Sequence, residues 1–312
     1  MATVLVTGAN GFVGSSVVRA LSAASHRVVG LVRSAADGRD LLDRLDRGIR
    51  AATDTRIGDV TDVETLRPAM VGVDAVVHLV AIPRDRDGGA SLRLVNTEGT
   101  RNVVVAMRTA GVRRLVHLGA LGIADDPDLH YASSKAKAER IVAESHLDWT
   151  ILEPSLMFGP GDGFFNVIAG LVRLSPGVVP VPGLGESRFQ PLAVADLARV
   201  VVDVLERPDA LVRVFELGGP RWWTYREIVE EVLRSLGAHR LIVPVPVPLI
   251  MLVAEASELV GLPFPVAADQ LRQLGLDNVT EPTAVRDAFG FEPLDMAGRL
   301  DYLKLRPKEQ RA

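Results

Sequence analysis

The chain contains no cysteine. That excludes disulfides, thiolate-ligated zinc, iron–sulfur clusters and a cysteine nucleophile together. The 6 histidines are scattered, and no two fall at the spacing that sets a pair of ligands on one helix face, so no metal site is expected. Excess charge is lacking too: a net charge of −4 and a pI near 5.9 create no field that favours nucleic acid. No uninterrupted apolar run is long enough to span a bilayer, which takes about 20 residues. The greasiest stretch, 241–262, is broken by Pro244, Pro246, Pro248, Glu255 and Glu258. It reads either as a buried helix or protein contact, or as a surface facing lipid or a greasy substrate. An apolar strand beginning at Ala2 leaves no room for a leader, so a cytoplasmic location is expected, membrane-peripheral if 241–262 meets lipid.

The 312 residues are 48% hydrophobic and 24% charged, the balance of a globular protein with a sizeable core and about two domains. The most informative stretch is the first. Residues 2–7 read as a strand, Gly8-Ala9-Asn10-Gly11-Phe12-Val13-Gly14 as a turn, and 15–24 as a helix. Glycines at positions 8, 11 and 14 suit a tight turn, a close approach of backbone to pyrophosphate and close packing of helix on strand. The helix start then offers free N–H groups to the anion. The merely structural alternative is a strand-to-helix turn with no ligand.

The first half of the chain alternates apolar runs with amphipathic stretches. Strands are expected at 27–32, 55–57, 75–80, 114–118 and 149–152, the last leading to Pro154, with helices at 94–110, closed by Gly111, and 131–145. After Pro154, glycine and proline cluster at 159–163 and 176–185, marking loops. A helix at 192–206 and a strand at 212–217 that rejoins the main sheet follow. Thr224 with Glu227 forms the capping box of a helix over 224–236. The pattern predicts an α/β fold: a doubly wound parallel Rossmann sheet with a smaller, discontinuous C-terminal α/β cap. The dinucleotide-binding domain is expected at 1–155 and 191–218, the substrate-binding cap at 156–190 and 219–312.

Two features bear on chemistry. The second strand ends in Arg33-Ser34, and the first acid beyond it is Asp37. A dinucleotide site selecting NAD(H) places an acid there, whereas a guanidinium suits a 2′-phosphate, so NADP(H) is preferred over NAD(H). Alternatively Arg33 stacks on adenine or faces solvent. Asp59, after the third strand, is placed for the adenine edge or serves as a turn residue. Tyr131 and Lys135 stand at i and i+4 in a chain with only 3 tyrosines and 4 lysines. On one helix face, an ammonium is expected to lower the phenol's pKa and let it exchange a proton with a carbonyl or alcohol. An incidental surface pair is the alternative.

These pieces resemble the short-chain dehydrogenases/reductases of the extended or atypical type, the group that includes NAD-dependent epimerase/dehydratase-like proteins. Further matches are Gly58-Asp59-Val60-Thr61-Asp62, Asp74-Ala75-Val76-Val77-His78-Leu79-Val80-Ala81 and Asn96-Thr97-Glu98-Gly99-Thr100-Arg101-Asn102. Ile82-Pro83-Arg84, 154–162, Phe189-Gln190-Pro191-Leu192 and Asp277-Asn278-Val279 resemble the branch of the dehydrogenase-like accessory subunit of respiratory complex I. The resemblance implies that Gly8, Asn10, Gly11, Phe12 and Val13 line the pyrophosphate and Arg33 meets the 2′-phosphate. Asp59 and Val60 would meet adenine; Val80, Ala81 and Pro154 would contact the ribose and nicotinamide. Tyr131 would be the acid/base, Lys135 its partner and Asn96 a support of the active-site helix and its proton relay. Asn96 otherwise reads as a polar residue bonding a backbone carbonyl. Two positions depart from the family: Gly119-Ala120 stands where a Ser or Thr usually binds the substrate oxygen, and Glu153 stands where Arg is common.

The expected function is an NADP(H)-dependent oxidoreductase acting on a small, largely apolar carbonyl, alcohol or quinone-like substrate. The alternative is a protein that holds NADP(H) and works by binding a partner. A sugar-nucleotide epimerase fits less well, because Arg33 disfavours NAD and Glu153 sits poorly with a dianionic substrate.

Overall fold

The computed structural model describes residues 1–84, 87–175, 177–250, 272, 274–306 and 309–311. The chain forms two compact units, Met1–Pro154 with Val194–Glu216, and Ser155–Ala193 with Leu217–Ala312.

The first unit is built on a seven-stranded sheet. Its elements run β1 (Thr3–Thr7), α1 (Phe12–Ala23), β2 (Arg27–Val32), α2 (Ala35–Asp43), α3 (Arg47–Ala51), β3 (Thr53–Ile57), α4 (Val63–Ala69), β4 (Ala75–His78) and α5 (Ala90–Leu92). A π-helical segment, Arg93–Glu98, leads into α6 (Gly99–Ala110), then β5 (Arg114–Leu118), α7 (His130–Ala143) and β6 (Asp148–Pro154). After the second unit's first segment, α9 (Val194–Glu206) and β11 (Arg213–Leu217) complete it. The strand order is β11-β6-β5-β4-β1-β2-β3, and the pairs from β6 through β3 all run parallel.

Strands buried on both faces need apolar residues throughout, and Val4, Leu5, Val6, Val28, Val29, Val76 and Val77 supply them. Leu5, Val29, Val76 and Leu115 form one core with Leu66 of α4, Val103 and Met107 of α6 and Val142 of α7. Elsewhere in the unit α1 packs against α9. Register puts Thr7, His78 and His117 side by side near the carboxyl ends of β1, β4 and β5, the edge at which parallel α/β sheets bind ligands.

The second unit contains β7 (Met157–Phe158), α8 (Phe164–Leu174), β8 (Val178–Pro182), β9 (Arg188–Phe189), β10 (Leu192–Ala193), β12 (Trp223–Thr224), α10 (Tyr225–Leu236), β13 (Leu241–Val245) and α11 (Ala284–Phe289). β8 and β13 pair in parallel. The core is rich in rings: Phe158, Phe165, Phe189, Trp223 and Tyr225 pack with Ile228, Met296 and Leu300. The capping box of α10 is present, Thr224 accepting from the Glu227 N–H at 3.2 Å and Glu227 accepting from the Thr224 N–H at 2.7 Å.

Several element boundaries differ from the expected ones. Helix α1 starts three residues early, at Phe12, so the glycine turn is shorter. β4 stops at His78, because the Leu79 N–H turns to the Thr7 hydroxyl. The helix expected over 94–110 opens in π geometry. β11 joins the sheet beside β6, and Gly111 closes α6 with φ +73°. Within 241–262, residues 241–245 are the strand β13, residues 247–250 are helical as expected, and 251–262 lie outside the described residues. Among the described residues no helix is long and apolar enough to cross a membrane.

Candidate nucleotide and active site

The site begins where β1 ends. Gly8 has φ +70°, a left-handed conformation open to glycine. Its carbonyl accepts the Gly11 N–H at 3.0 Å and closes the turn. A Cβ on Gly14 would lie 2.1 Å from that same carbonyl oxygen, so any larger residue would drive α1 off the turn. Helix α1 carries no side-chain cap and no acid in its first turn, which leaves its leading N–H groups for an anion. This bare, positive helix start behind a glycine cradle fits a dinucleotide pyrophosphate. Asn10, Phe12 and Val13 are half-buried around it and Gly11 is exposed.

The other predicted binding residues surround the carboxyl edge of the same sheet. Arg33 is exposed directly after β2 and has no ion-pair partner among the described residues. Asp37 is turned into a local contact, accepting the Ser34 hydroxyl at 2.8 Å, and does not stand at the strand end. Asp59 spends one carboxylate oxygen on its own turn, accepting from the Thr61 N–H at 2.9 Å and hydroxyl at 2.8 Å. Val60 is buried, with its carbonyl bonded by Asn102. The Val80 side chain lies 3.3 Å from where a Gly8 Cβ would stand, so it borders the cradle. Ala81 is exposed and Pro154 buried at the end of β6.

A chain of hydrogen bonds joins the glycine-turn strand to the tyrosine helix. Thr7 Oγ1 accepts the Leu79 N–H at 3.1 Å and meets His78 Nδ1 at 2.7 Å, while His78 Nε2 meets Thr100 Oγ1 at 3.0 Å. Thr100 donates its only proton to the Asn96 carbonyl at 2.6 Å, so it accepts from His78. That assigns His78 as neutral with the proton on Nε2. Burial first, and then the Lys135 charge, push its pKa down to about 3. Asn96 grips the loop after β4, accepting the Ile82 N–H at 2.8 Å and donating to the Ile82 carbonyl at 3.1 Å. Asn96 also donates to Ser134 Oγ at 3.0 Å, and Ser134 in turn donates to the Tyr131 carbonyl. Asn96 thus braces α7. The π turn is what aims it, since an extra residue per turn rotates that side chain out of the α-helical register.

Tyr131 and Lys135 share one face of α7. The Lys135 ammonium is buried and donates to the Leu118 carbonyl at the end of β5. Burial lowers its pKa to about 8, against the pull of the Glu139 carboxylate. The expected depression of the phenol is not what the structure gives. Desolvation first, and then Glu139, push Tyr131 up to about 12, while the ammonium is directed at a backbone carbonyl. At neutral pH the phenol is protonated and can donate.

Glu139 is the residue that sequence reasoning missed. It stands one turn beyond Lys135 on the same face, and that i+4 spacing was its available signal. The Gly119 and Leu121 N–H groups donate to the Leu152 and Pro154 carbonyls of β6, and the Ala120 N–H between them donates to Glu139 Oε1 at 3.2 Å. Glu139 Oε1 and Glu153 Cγ both crowd the space over Gly119, 2.1 and 3.2 Å from where its Cβ would stand, so the two departures from the family pattern meet at one carboxyl group. His117, buried beside His78 with ring centroids 5.3 Å apart, is a further residue that the sequence did not flag.

Comparison with known proteins agrees with this geometry. Residues 8–208 match a family model described as NAD(P)H-binding. The mitochondrial NADH dehydrogenase [ubiquinone] 1 alpha subcomplex subunit 9 of Arabidopsis thaliana is 25% identical over 93% of this chain and 73% of its own. The photosystem II assembly factor Ycf39 of Synechocystis sp. is 26% identical over 96% of this chain and 89% of its own. The structure of Thermus thermophilus UDP-glucose 4-epimerase in complex with NAD superposes with a TM-score of 0.71 at 20% identity, covering 99% of each chain, and shares the fold. A glycine cradle under an uncapped helix, on a doubly wound sheet matched along nearly its whole length, places this chain in the NAD(P)-binding, extended short-chain dehydrogenase/reductase family of epimerase-like proteins.

Proposed function

We propose that the protein is an NADP(H)-dependent oxidoreductase that interconverts a small, largely apolar carbonyl or quinone-like compound and its alcohol or reduced form. One observation carries the reading: Tyr131 and Lys135 lie one turn apart on α7, and Asn96 ties that helix to the loop beside the glycine cradle. The nicotinamide, when bound, supplies or accepts the hydride. The chain's own residues handle the proton. A phenol held near 12 is fully protonated at pH 7, so it donates its proton to a carbonyl oxygen as charge develops there. The Lys135 ammonium stabilises the phenolate left behind, and solvent returns the proton. Arg33, exposed at the end of β2 and without an ion-pair partner among the described residues, supports the 2′-phosphate form of the cofactor. In this reading the second unit serves as the substrate-binding part.

The test is Tyr131→Phe, assayed for NADPH oxidation with a panel of aldehydes and quinones. Turnover is expected to fall on the order of 10²–10⁴-fold, the range for losing a positioned general acid. NADPH affinity should stay within about twofold, since the ring remains and only the hydroxyl is lost. Undiminished turnover would remove the mechanism.

A second reading has its own support. The relatives that align over more than nine tenths of this chain include a complex I subunit and an assembly factor, and Gly119 offers no hydroxyl to a substrate. On that reading the protein holds NADP(H) and acts through a protein partner. Mass analysis of the purified protein separates the two. A copurified dinucleotide that neither exchanges nor becomes oxidised over hours with the same panel favours the holding role.

A further inference from the structure

The reaction proposed above leaves Glu139 and Glu153 without a part. Glu139 Oε1 lies 2.1 Å from where a Cβ on Gly119 would stand, and Glu153 Cγ lies 3.2 Å from it. The carboxylate therefore fills the space of a side chain at 119, and only glycine admits it. The Ala120 N–H, left over between two ladder bonds to β6, holds Oε1 in that space. Two ionised carboxylates this close in a half-buried setting repel each other, and one proton between them removes the repulsion.

We infer that Glu139 and Glu153 share a single proton and act as one negative counter-charge that keeps Lys135 charged and positioned at the end of β5, beside Tyr131. With one proton the pair carries one negative charge, which balances one ammonium in a half-buried setting where a second negative charge would be costly. The groups facing this cluster are consistent with it. From β11, the exposed Glu216 adds negative charge and opposes loss of the shared proton. From β4 and β5, His78 and His117 face Lys135 and stay neutral. From α7 itself, Tyr131 is protonated. Burial, Glu139 and Glu216 hold the Glu153 carboxyl up at about 7. Glu139 and Glu153 are thus positioning residues that act through Lys135. Service of that ammonium to Tyr131 rests on the oxidoreductase reading; the shared proton and the counter-charge do not.

The test needs neither cofactor nor substrate. Carbon-13 NMR of the full chain, labelled at glutamate Cδ and lysine Cε, follows every glutamate carboxyl and all 4 lysines against pH. One glutamate should titrate near 7 and the buried lysine near 8. In Glu139→Gln the lysine midpoint should fall by about one pH unit or more, a tenfold loss of proton affinity, because its counter-charge is gone. In Glu153→Gln the titration near 7 should disappear while the lysine keeps its midpoint, since Glu139 stays ionised. Gly119→Ala, whose Cβ displaces the carboxylate, should lower the lysine midpoint as Glu139→Gln does. It thereby gives an independent answer if one variant folds poorly by circular dichroism. The inference is overturned if every glutamate titrates near 4 to 5 in the unmodified protein, or if the lysine midpoint is the same with and without Glu139. Absence of turnover with every substrate would strike the oxidoreductase reading alone and leave these midpoints standing.

Discussion

Arg33 and Asp37 stand close together in sequence, yet Asp37 is occupied by Ser34 at the start of α2, whereas Arg33 has no ion-pair partner among the described residues. A carboxylate at position 33 would repel a 2′-phosphate and accept from a ribose hydroxyl. Arg33→Asp should therefore weaken NADPH binding by about ten- to a hundredfold, the loss of one charge-assisted contact, and strengthen NADH binding. Titration calorimetry with each dinucleotide checks it, and unchanged selectivity would move the 2′-phosphate contact elsewhere. At this scale the sequence was legible wherever a residue acts through its neighbours along the chain. The cradle glycines, the Tyr131–Lys135 spacing and the capping Thr224 are of that kind. It was not legible for Gly119 and Glu153, each of which reads alone as a defect. What relates them is the side chain of Glu139, which reaches both from another element.

At the scale of elements, the bracing of α7 depends on a segment that no hydrophobic pattern distinguishes from an ordinary helix. The spacing of apolar residues over 94–110 suits α geometry, yet the segment opens in a π turn from which Asn96 reaches Ile82 and Ser134 together. Removing that amide leaves buried donors and acceptors without partners, at about 1–3 kcal/mol for each group stranded. Asn96→Ala should lower unfolding free energy by about 2–4 kcal/mol in urea titrations. It should also loosen α7, seen as faster amide exchange around Ser134 than in a control such as Thr224→Ala, which costs only about 1 kcal/mol. Equal exchange in both would deny Asn96 its bracing role. The end of β4 is illegible for a related reason: a side-chain hydroxyl takes its next N–H, and no propensity scale registers that competition.

For the molecule as a whole, acid stability follows from which groups are held away from their ordinary protonation. The buried His78 and His117 have folded pKa values below the unfolded value, His78 at about 3, so their contribution is complete above about 6.5 and is lost as pH falls. Glu153 at about 7 and Asp162 at about 6 are raised and act in the opposite sense. Between about pH 5 and 7 the two effects offset one another. Below about pH 4.5 the unfolded carboxyls also take up protons and the offset disappears; the histidines then act in the same sense as Asp125, Asp148, Asp209 and Asp277, which their partners hold below the usual carboxylate range. Thermal midpoints should be nearly level from pH 7 to 5 and then drop, and His117→Leu should flatten that drop. A drop of equal steepness in the variant would assign acid unfolding to other groups.

The first unit is interrupted in sequence: its outermost strand, β11, and the helix laid on α1 come from residues 194–217, after the chain has passed through the other unit. A ribosome that has released Pro154 has therefore delivered six of the seven strands but neither the seventh nor α9. Until some 60 further residues emerge, β6 is left as an unprotected margin and α1 lacks its cover. The nascent nucleotide fold thus exposes a bare sheet margin until its last piece arrives.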